Sequence, residues 1–164
     1  MRVLVADRIA QSGIDLFKSH SIEVDVKTGL SQKELIEIID AYDGLVVRSD
    51  TKVTKEILDV GINLQVVGRA GVGVDNIDIK IATEKGIVVV NAPSSNTVAA
   101  AEHTIALILS LVRHVPQAHS SMISGRWDRK DFMGTELRGK TLGLVGLGRI
   151  GSEVARKAGP FDVK

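Results

Sequence analysis

Three glycines stand at the spacing G-x-G-x-x-G in Gly146-Leu147-Gly148-Arg149-Ile150-Gly151. An apolar run, Leu142 to Val145 with one glycine inside it, leads into them, and a helix-forming stretch carrying Ile150, Val154, Ala155 and Ala158 leaves them. Each glycine has its own physical task. Gly146 permits a tight turn, Gly148 lets the backbone come close to a pyrophosphate, and Gly151 lets the helix pack closely on the strand. The N–H groups of the first helical turn, from Arg149 onward, have no carbonyl behind them and are free to meet phosphate oxygens. Glycine spacing alone is a weak signal, and the flanking strand and helix patterns make this a dinucleotide-binding turn rather than a plain strand-to-helix turn. The acidic partner for the ribose hydroxyls belongs about 20 residues further on. Asp162 comes too early for it, at the start of the next strand pattern, so the sequence is expected to stop inside a domain.

A second group of chemically capable residues follows three apolar runs. Arg48-Ser49 comes after 45–47, Arg69-Ala70-Gly71-Val72-Gly73-Val74-Asp75-Asn76 after 65–67, and Asn91-Ala92-Pro93-Ser94-Ser95-Asn96-Thr97 after 88–90. Ligands of open parallel sheets bind beyond the carboxyl ends of the strands, which is where these residues fall. Arg48 offers a planar fork of donors matched to a carboxylate or phosphate, and Ser49 adds a further hydrogen bond. The competing reading is a surface arginine paired with Asp50 or Asp43. Gly71-Val72-Gly73 can turn successive N–H groups into a concave anion seat, or can be a turn with no ligand at all. His20, His103, His114 and His119 have no carboxylate or second histidine at a telling interval, so no catalytic or metal role is assigned to them.

The elements that must position these groups alternate along the chain. Residues 3–6, 22–26, 45–47, 65–67 and 88–90 read as strands, with helical patterns between them. Ser31-Gln-Lys-Glu34 is a capping box that opens a helix over 33–42, Thr54 caps the next helix, and Gly86 ends the one after. Strands that alternate with helices imply right-handed crossovers and a parallel sheet covered on both faces. Residues 96–123 carry a long helical pattern, which Pro116 is expected to kink or restart. The polar stretch 124–140 reads as a loop with Trp127 as its only large anchor. The predicted fold is α/β: a flavodoxin-like doubly wound parallel sheet, a linking helix, and the first βα unit of a Rossmann domain. The domain boundaries are 1–95, 96–140 and 141–164.

Bulk properties narrow the function. The chain has 164 residues, 44% of them hydrophobic and 25% charged, with a net charge of +1 and few aromatics, as in an ordinary soluble globular protein without the basic stripe of a nucleic-acid binder. Having no cysteine, it has no disulfide, thiolate metal site or thiol nucleophile, which fits a reducing compartment. The first apolar run is too short for a signal peptide, and Glu102, His103 and Thr104 interrupt the stretch 98–112 well short of a membrane span. A cytoplasmic location is expected.

Taken together, Leu45-Val-Val-Arg48-Ser49-Asp-Thr-Lys-Val-Thr54, Val67-Gly-Arg69-Ala-Gly71-Val72-Gly73-Val-Asp-Asn-Ile-Asp78, Asn91-Ala-Pro93 and the glycine turn within 139–151 resemble the NAD-dependent D-2-hydroxyacid dehydrogenases, in register over essentially the whole chain. The resemblance implies a two-domain enzyme that uses NAD to oxidise 3-phosphoglycerate to 3-phosphohydroxypyruvate, the entry step of L-serine synthesis. By position it implies that Arg48, Ser49 and Asn96 contact the substrate, with Arg69 helping at the phosphate. It makes Gly71 and Gly73 the backbone seat of the carboxylate. Val72 then touches the cofactor, and Arg149 and Ile150, with Gly146, Gly148 and Gly151, meet the pyrophosphate. A homodimer or higher homo-oligomer is implied, with no nucleic-acid, membrane or metal partner. The family's catalytic arginine, glutamate and histidine match no residue here, so the chain alone is expected not to turn over. The alternatives are a dehydrogenase of an unphosphorylated acid, such as glyoxylate or hydroxypyruvate, and a non-enzymatic fragment for ligand sensing or dimerisation.

Overall fold

The computed structural model describes residues 1–164, which form two compact units, Met1–Ser95 and Asn96–Lys164. In the first, five parallel strands, β1 (Arg2–Val5), β2 (Glu23–Val26), β3 (Gly44–Val47), β4 (Val66–Arg69) and β5 (Val88–Asn91), lie in the order β2-β1-β3-β4-β5. The crossovers are α1 (Gln11–Ser19), α2 (Gln32–Ile38), α3 (Lys55–Val60) and α4 (Ile79–Glu84). This is the doubly wound order that the alternation of short valine-rich runs with amphipathic segments predicts.

Local signals act as their chemistry requires. Ser31 Oγ accepts from the Glu34 N–H at 3.3 Å while the Ser31 N–H donates to Glu34 Oε2 at 2.8 Å, so the capping box is complete. Thr54 occupies the N-cap position of α3, yet its hydroxyl makes no capping bond and accepts from Gln32 Nε2 at 2.7 Å instead. Gly86 follows α4 with φ +71°, a left-handed conformation that favours glycine. The helix expected over 33–42 stops at Ile38, and Ile39–Ala41 tighten into a 3₁₀ turn. That tightening turns both Ile39 and Tyr42 inward, where they are 0% and 2% exposed. Leu4, Leu45, Val47 and Val67 line one sheet face and pack with Leu35, Ile39, Ile57, Leu58 and Ala82 from the helices. Val3 and Val5 alternate to the opposite face and are also buried.

One corner of this core is polar. Buried Tyr42 donates its hydroxyl to Asp25 Oδ2 at 2.8 Å, and Arg2 Nη2 reaches the same oxygen at 2.7 Å, with its guanidinium 4.9 Å from the ring centroid. The Tyr42 hydroxyl, reinforced by Arg2, holds the Asp25 carboxyl below the ordinary aspartate range.

The second unit contains α5 (Thr97–Val112), α6 (Val115–Ile123) and α7 (Arg149–Ala158). Pro116 sits in the first turn of α6, where its missing N–H costs nothing, and His114 breaks the path with φ 55°. The two helices meet at 64°, and no single helix is long and apolar enough to cross a membrane. Helix α7 packs on α5, with Ala101, Val154 and Ala158 buried and Lys157 Nζ 2.9 Å from Glu102 Oε1.

Three readings are corrected in this unit. Residues 141–147 form no strand, and Val145 and Leu147 are exposed. A strand needs a neighbouring ladder, and of the N–H groups there only that of Leu142, bonded to Lys164 O at 2.9 Å, finds a partner. Trp127 is no anchor, being 71% exposed. The loop is held by polar and backbone contacts instead: Asp128 accepts from buried Ser121 Oγ at 2.8 Å and from Arg126 Nε at 2.9 Å, and the Thr135 N–H donates to Val112 O at 2.7 Å. Asp162 begins no strand; it ends a 3₁₀ turn with φ 55° and lies 3.3 Å from Arg138.

The Asp25 corner gives a pH prediction. A carboxyl whose folded pKa is depressed adds stability that is fully present above its unfolded value, about 3.9, and is lost as pH falls through the lower folded value. Tyr42→Phe removes the strongest donor, so the Asp25 titration followed by carboxyl NMR moves up toward the ordinary value and acid unfolding begins at higher pH. Superimposable Asp25 titrations in the two proteins would overturn this account.

Candidate functional site

Crossovers leave β1 and β3 in opposite directions, so the carboxyl ends of these neighbouring strands flank the crevice in which doubly wound sheets hold ligands. Arg48 and Ser49 follow β3 directly. Across the crevice floor lies Asp7, 4% exposed, whose carboxylate accepts from the Arg48 N–H at 2.5 Å, the Thr51 N–H at 3.2 Å and Thr51 Oγ1 at 2.7 Å. On the other side, Asn76 Nδ2 donates to Arg48 O at 2.8 Å and to Thr51 O at 2.6 Å. The Arg48 main chain is thus held at both its N–H and its C=O. Beyond it the β3 and β4 loops are stitched together, with the Val53 N–H on Asn76 O at 2.8 Å and the Asp78 N–H on Val53 O at 3.0 Å.

The side chain of Arg48 remains open. It is exposed, makes only a long 3.5 Å contact to Arg8 O, and pairs with neither Asp50 nor Asp43, the latter accepting from the Arg2 N–H at 2.6 Å. Ser49 Oγ is equally free apart from a 3.5 Å contact to Asp50 and borders an open groove of about 650 Å³ with Lys52, Asp75 and Asn76. Arg69 behaves otherwise: its side chain is 12% exposed, Nη1 donates to Gly73 O at 2.6 Å, and Nε donates to Arg48 O at 3.2 Å. In Gly71-Val72-Gly73, the Gly71 N–H turns back onto Arg69 O at 2.8 Å, while the Val72 and Gly73 N–H groups meet no protein acceptor. Asn91 Nδ2 holds this loop by donating to Val72 O at 2.6 Å.

Arg48, Ser49, Arg69, Gly71, Val72 and Gly73 therefore gather at one rim of the first unit. Asn96 opens α5 in the second unit, exposed and with no side-chain hydrogen bond. All four histidines are exposed, and Glu102, the neighbour of His103, is engaged by Lys157. Asp7 escaped the sequence reading, although it follows the first strand as Arg48 follows the third.

In the glycine turn, Gly146 has φ +96°, which a side chain would strain. A Cβ on Gly151 would lie 2.3 Å from Gly146 O, so no other residue fits without moving the turn. A Cβ on Gly148 would meet nothing within 4 Å. That open space stands at the N-terminus of α7, where the first inward bond is from the Ser152 N–H to Gly148 O at 2.9 Å, and the N–H groups of Arg149, Ile150 and Gly151 are unmet. The arrangement fits a dinucleotide pyrophosphate.

Residues 3–158 match the model of the D-isomer specific 2-hydroxyacid dehydrogenase catalytic domain. The chain is 55% identical to the D-3-phosphoglycerate dehydrogenase of Archaeoglobus fulgidus over 99% of its own length and 31% of the relative's, and 54% identical to that of Synechocystis over 99% and 29%. It thus spans about a third of the length of these curated relatives. Among solved structures it superposes on the TT0316 protein of Thermus thermophilus with a TM-score of 0.91 at 34% identity, over 100% of this chain and 54% of that one. For the NAD-bound 3-phosphoglycerate dehydrogenase of Entamoeba histolytica the TM-score is 0.80 at 29% identity, over 100% and 52%.

Gly151→Ala should force Gly146 O aside and loosen the turn, at a cost of about 1–3 kcal/mol of the local structure. Amide exchange should then speed up across 146–152 while β1–β5 keep their protection. Unchanged exchange at the turn would sink the close-approach argument.

Proposed function

The chain belongs to the D-isomer specific 2-hydroxyacid dehydrogenase family, and from that membership we propose that its first unit seats 3-phosphoglycerate and its glycine turn takes the pyrophosphate of NAD. The reaction served is oxidation of the 2-hydroxyl to the keto group of 3-phosphohydroxypyruvate, at the entry to L-serine synthesis. The observation that carries the reading is an exposed guanidinium without an ionic partner, on a main chain clamped at both ends, at the switch point of the sheet. A clamped Arg48 presents two parallel donors to an oxyanion at small entropic cost, and Ser49 adds a hydroxyl. The unmet N–H groups of Val72 and Gly73 suit the carboxylate, and Val72 also stands as a cofactor contact. Asn96, at the head of α5, keeps its amide free for a polar ligand.

NAD, when bound, accepts the hydride released from C2. This chain's residues hold and orient the reactants, and the N–H groups at Arg149 and Ile150 meet the pyrophosphate. Taking the hydroxyl proton requires a base held against it. None of the four histidines is set by a carboxylate, so the chain by itself binds without turning over. The high identity to phosphoglycerate enzymes, with Lys52 beside Ser49, favours a phosphorylated acid over glyoxylate or hydroxypyruvate. Exposed Leu107, Leu111 and Ile123 in α5 and α6 support a homo-oligomer, and a cytoplasmic setting suits this metabolism.

Calorimetry of the chain should show binding of 3-phosphoglycerate in preference to D-glycerate, and Arg48→Gln should weaken it about tenfold, near 1.4 kcal/mol. With NAD added, no NADH should form. Equal binding by Arg48→Gln, or steady NADH production, would contradict the assignment.

A further inference from the structure

We propose that Asp7 is the positioning residue of the acid site: its buried carboxylate sets the main chain from which the Arg48 guanidinium is aimed. The proposal rests on the reading of Arg48 as the substrate's contact. Three donors converge on this one side chain, namely the Arg48 N–H, the Thr51 N–H and the Thr51 hydroxyl. They bracket Ser49 on both sides. No lysine, arginine or histidine lies within ion-pair distance of Asp7, so its charge is met by oriented N–H and O–H dipoles rather than by a cation. An acceptor-only group suits this task, because a carboxylate takes all three donors and has no N–H of its own to misplace.

Asp7 is also the only side chain that fixes the nitrogen side of Arg48; Asn76 and Arg69 hold the carbonyl side. Removing it leaves two part-buried N–H groups and a hydroxyl without their acceptor, so residues 48–51 relax about the Asn76 bonds and carry the guanidinium with them. The hydrophobic cluster, which includes Ala6 but not Asp7, is left as it was.

The test is a calorimetric double-mutant cycle on the 164-residue chain with 3-phosphoglycerate, together with amide exchange. Asp7→Ala should raise Kd about tenfold, and exchange at residues 48–51 should accelerate while α2–α4 keep their protection. Asp7→Asn keeps an oxygen that can accept both N–H groups and should return Kd to within about threefold of the parent. In an Arg48→Gln background, Asp7→Ala should add no further loss. A purely structural role would weaken binding equally in both backgrounds, and that result overturns the proposal, as does a folded Asp7→Ala protein with parental Kd. If Asp7→Ala does not fold, Thr51→Val removes one of the three bonds and should raise Kd about threefold in the Arg48 background only; equal effects in both backgrounds, or none, overturn the proposal. A chain that binds no 3-phosphoglycerate, or binds it equally well as Arg48→Gln, overturns the reading of the site and this proposal with it. Binding that needs Arg48 and ignores Asp7 overturns the proposal alone.

Discussion

Where the crossovers from β1 and β3 part, the two chains separate beyond the bond from the Ala6 N–H to Val46 O, and a side chain bridges the gap. Asp7 spans that gap. A buried carboxylate is expensive to desolvate, and here the cost is offset by three donors, all of them from the segment 48–51 that bears Arg48 and Ser49. The same contact that satisfies Asp7 therefore determines the backbone course of the rim. Asn76 completes the arrangement from β4, so the segment is fixed by groups arriving from either side of it.

The two units reach ligand geometry by opposite means. At the rim, polar side chains hold a backbone still so that one side chain can stay free. In the glycine turn, the absence of side chains does the positioning: Gly146 takes a left-handed φ, Gly151 admits a carbonyl at a distance that a methyl would forbid, and Gly148 leaves its N–H and Cα face bare. A pyrophosphate is suited by backbone donors close at hand, while at the rim a planar, charged fork stands open to an oxyanion.

Much of this was legible in the residues. Ser31 with Glu34, Pro116, Gly86 and the three glycines act locally, through a few neighbouring atoms, and the structure places each where its chemistry points. The parallel pairing of the strands followed from the alternation of short apolar runs with helices. What escaped were properties of partnership. Asp7 and Asn76 look like ordinary polar loop residues until strand pairing brings them within 3 Å of Arg48 main-chain atoms. Residues 141–147 have the composition of a strand but no ladder to join, and composition cannot supply one. Trp127 is large, yet a large ring is an anchor only where a cavity receives it, and here Asp128 does the holding through Ser121.

The two arginines of the rim show how far residue type alone carries an argument. Arg69 stands in the ladder opposite Val47 and Asn91, whereas Arg48 lies one residue past that register. From its place Arg69 folds over its own loop: a Cβ on Gly71 would come within 3.1 Å of Arg69 Nη1, and one on Gly73 within 3.3 Å, with Asp75 Oδ1 nearer still at 2.8 Å. A side chain at Gly71 or Gly73 would press on Arg69 or Asp75, so the two glycines make room for the guanidinium beneath the loop. Arg69 donates to Gly73 O and Arg48 O, binding the glycine loop to the arginine segment, so its own donors point into protein. Its part is then to brace the loop that carries the free N–H groups and the segment that carries Arg48. Of two like side chains at adjacent strand ends, one is turned inward to hold the frame and the other is left outside with its donors open.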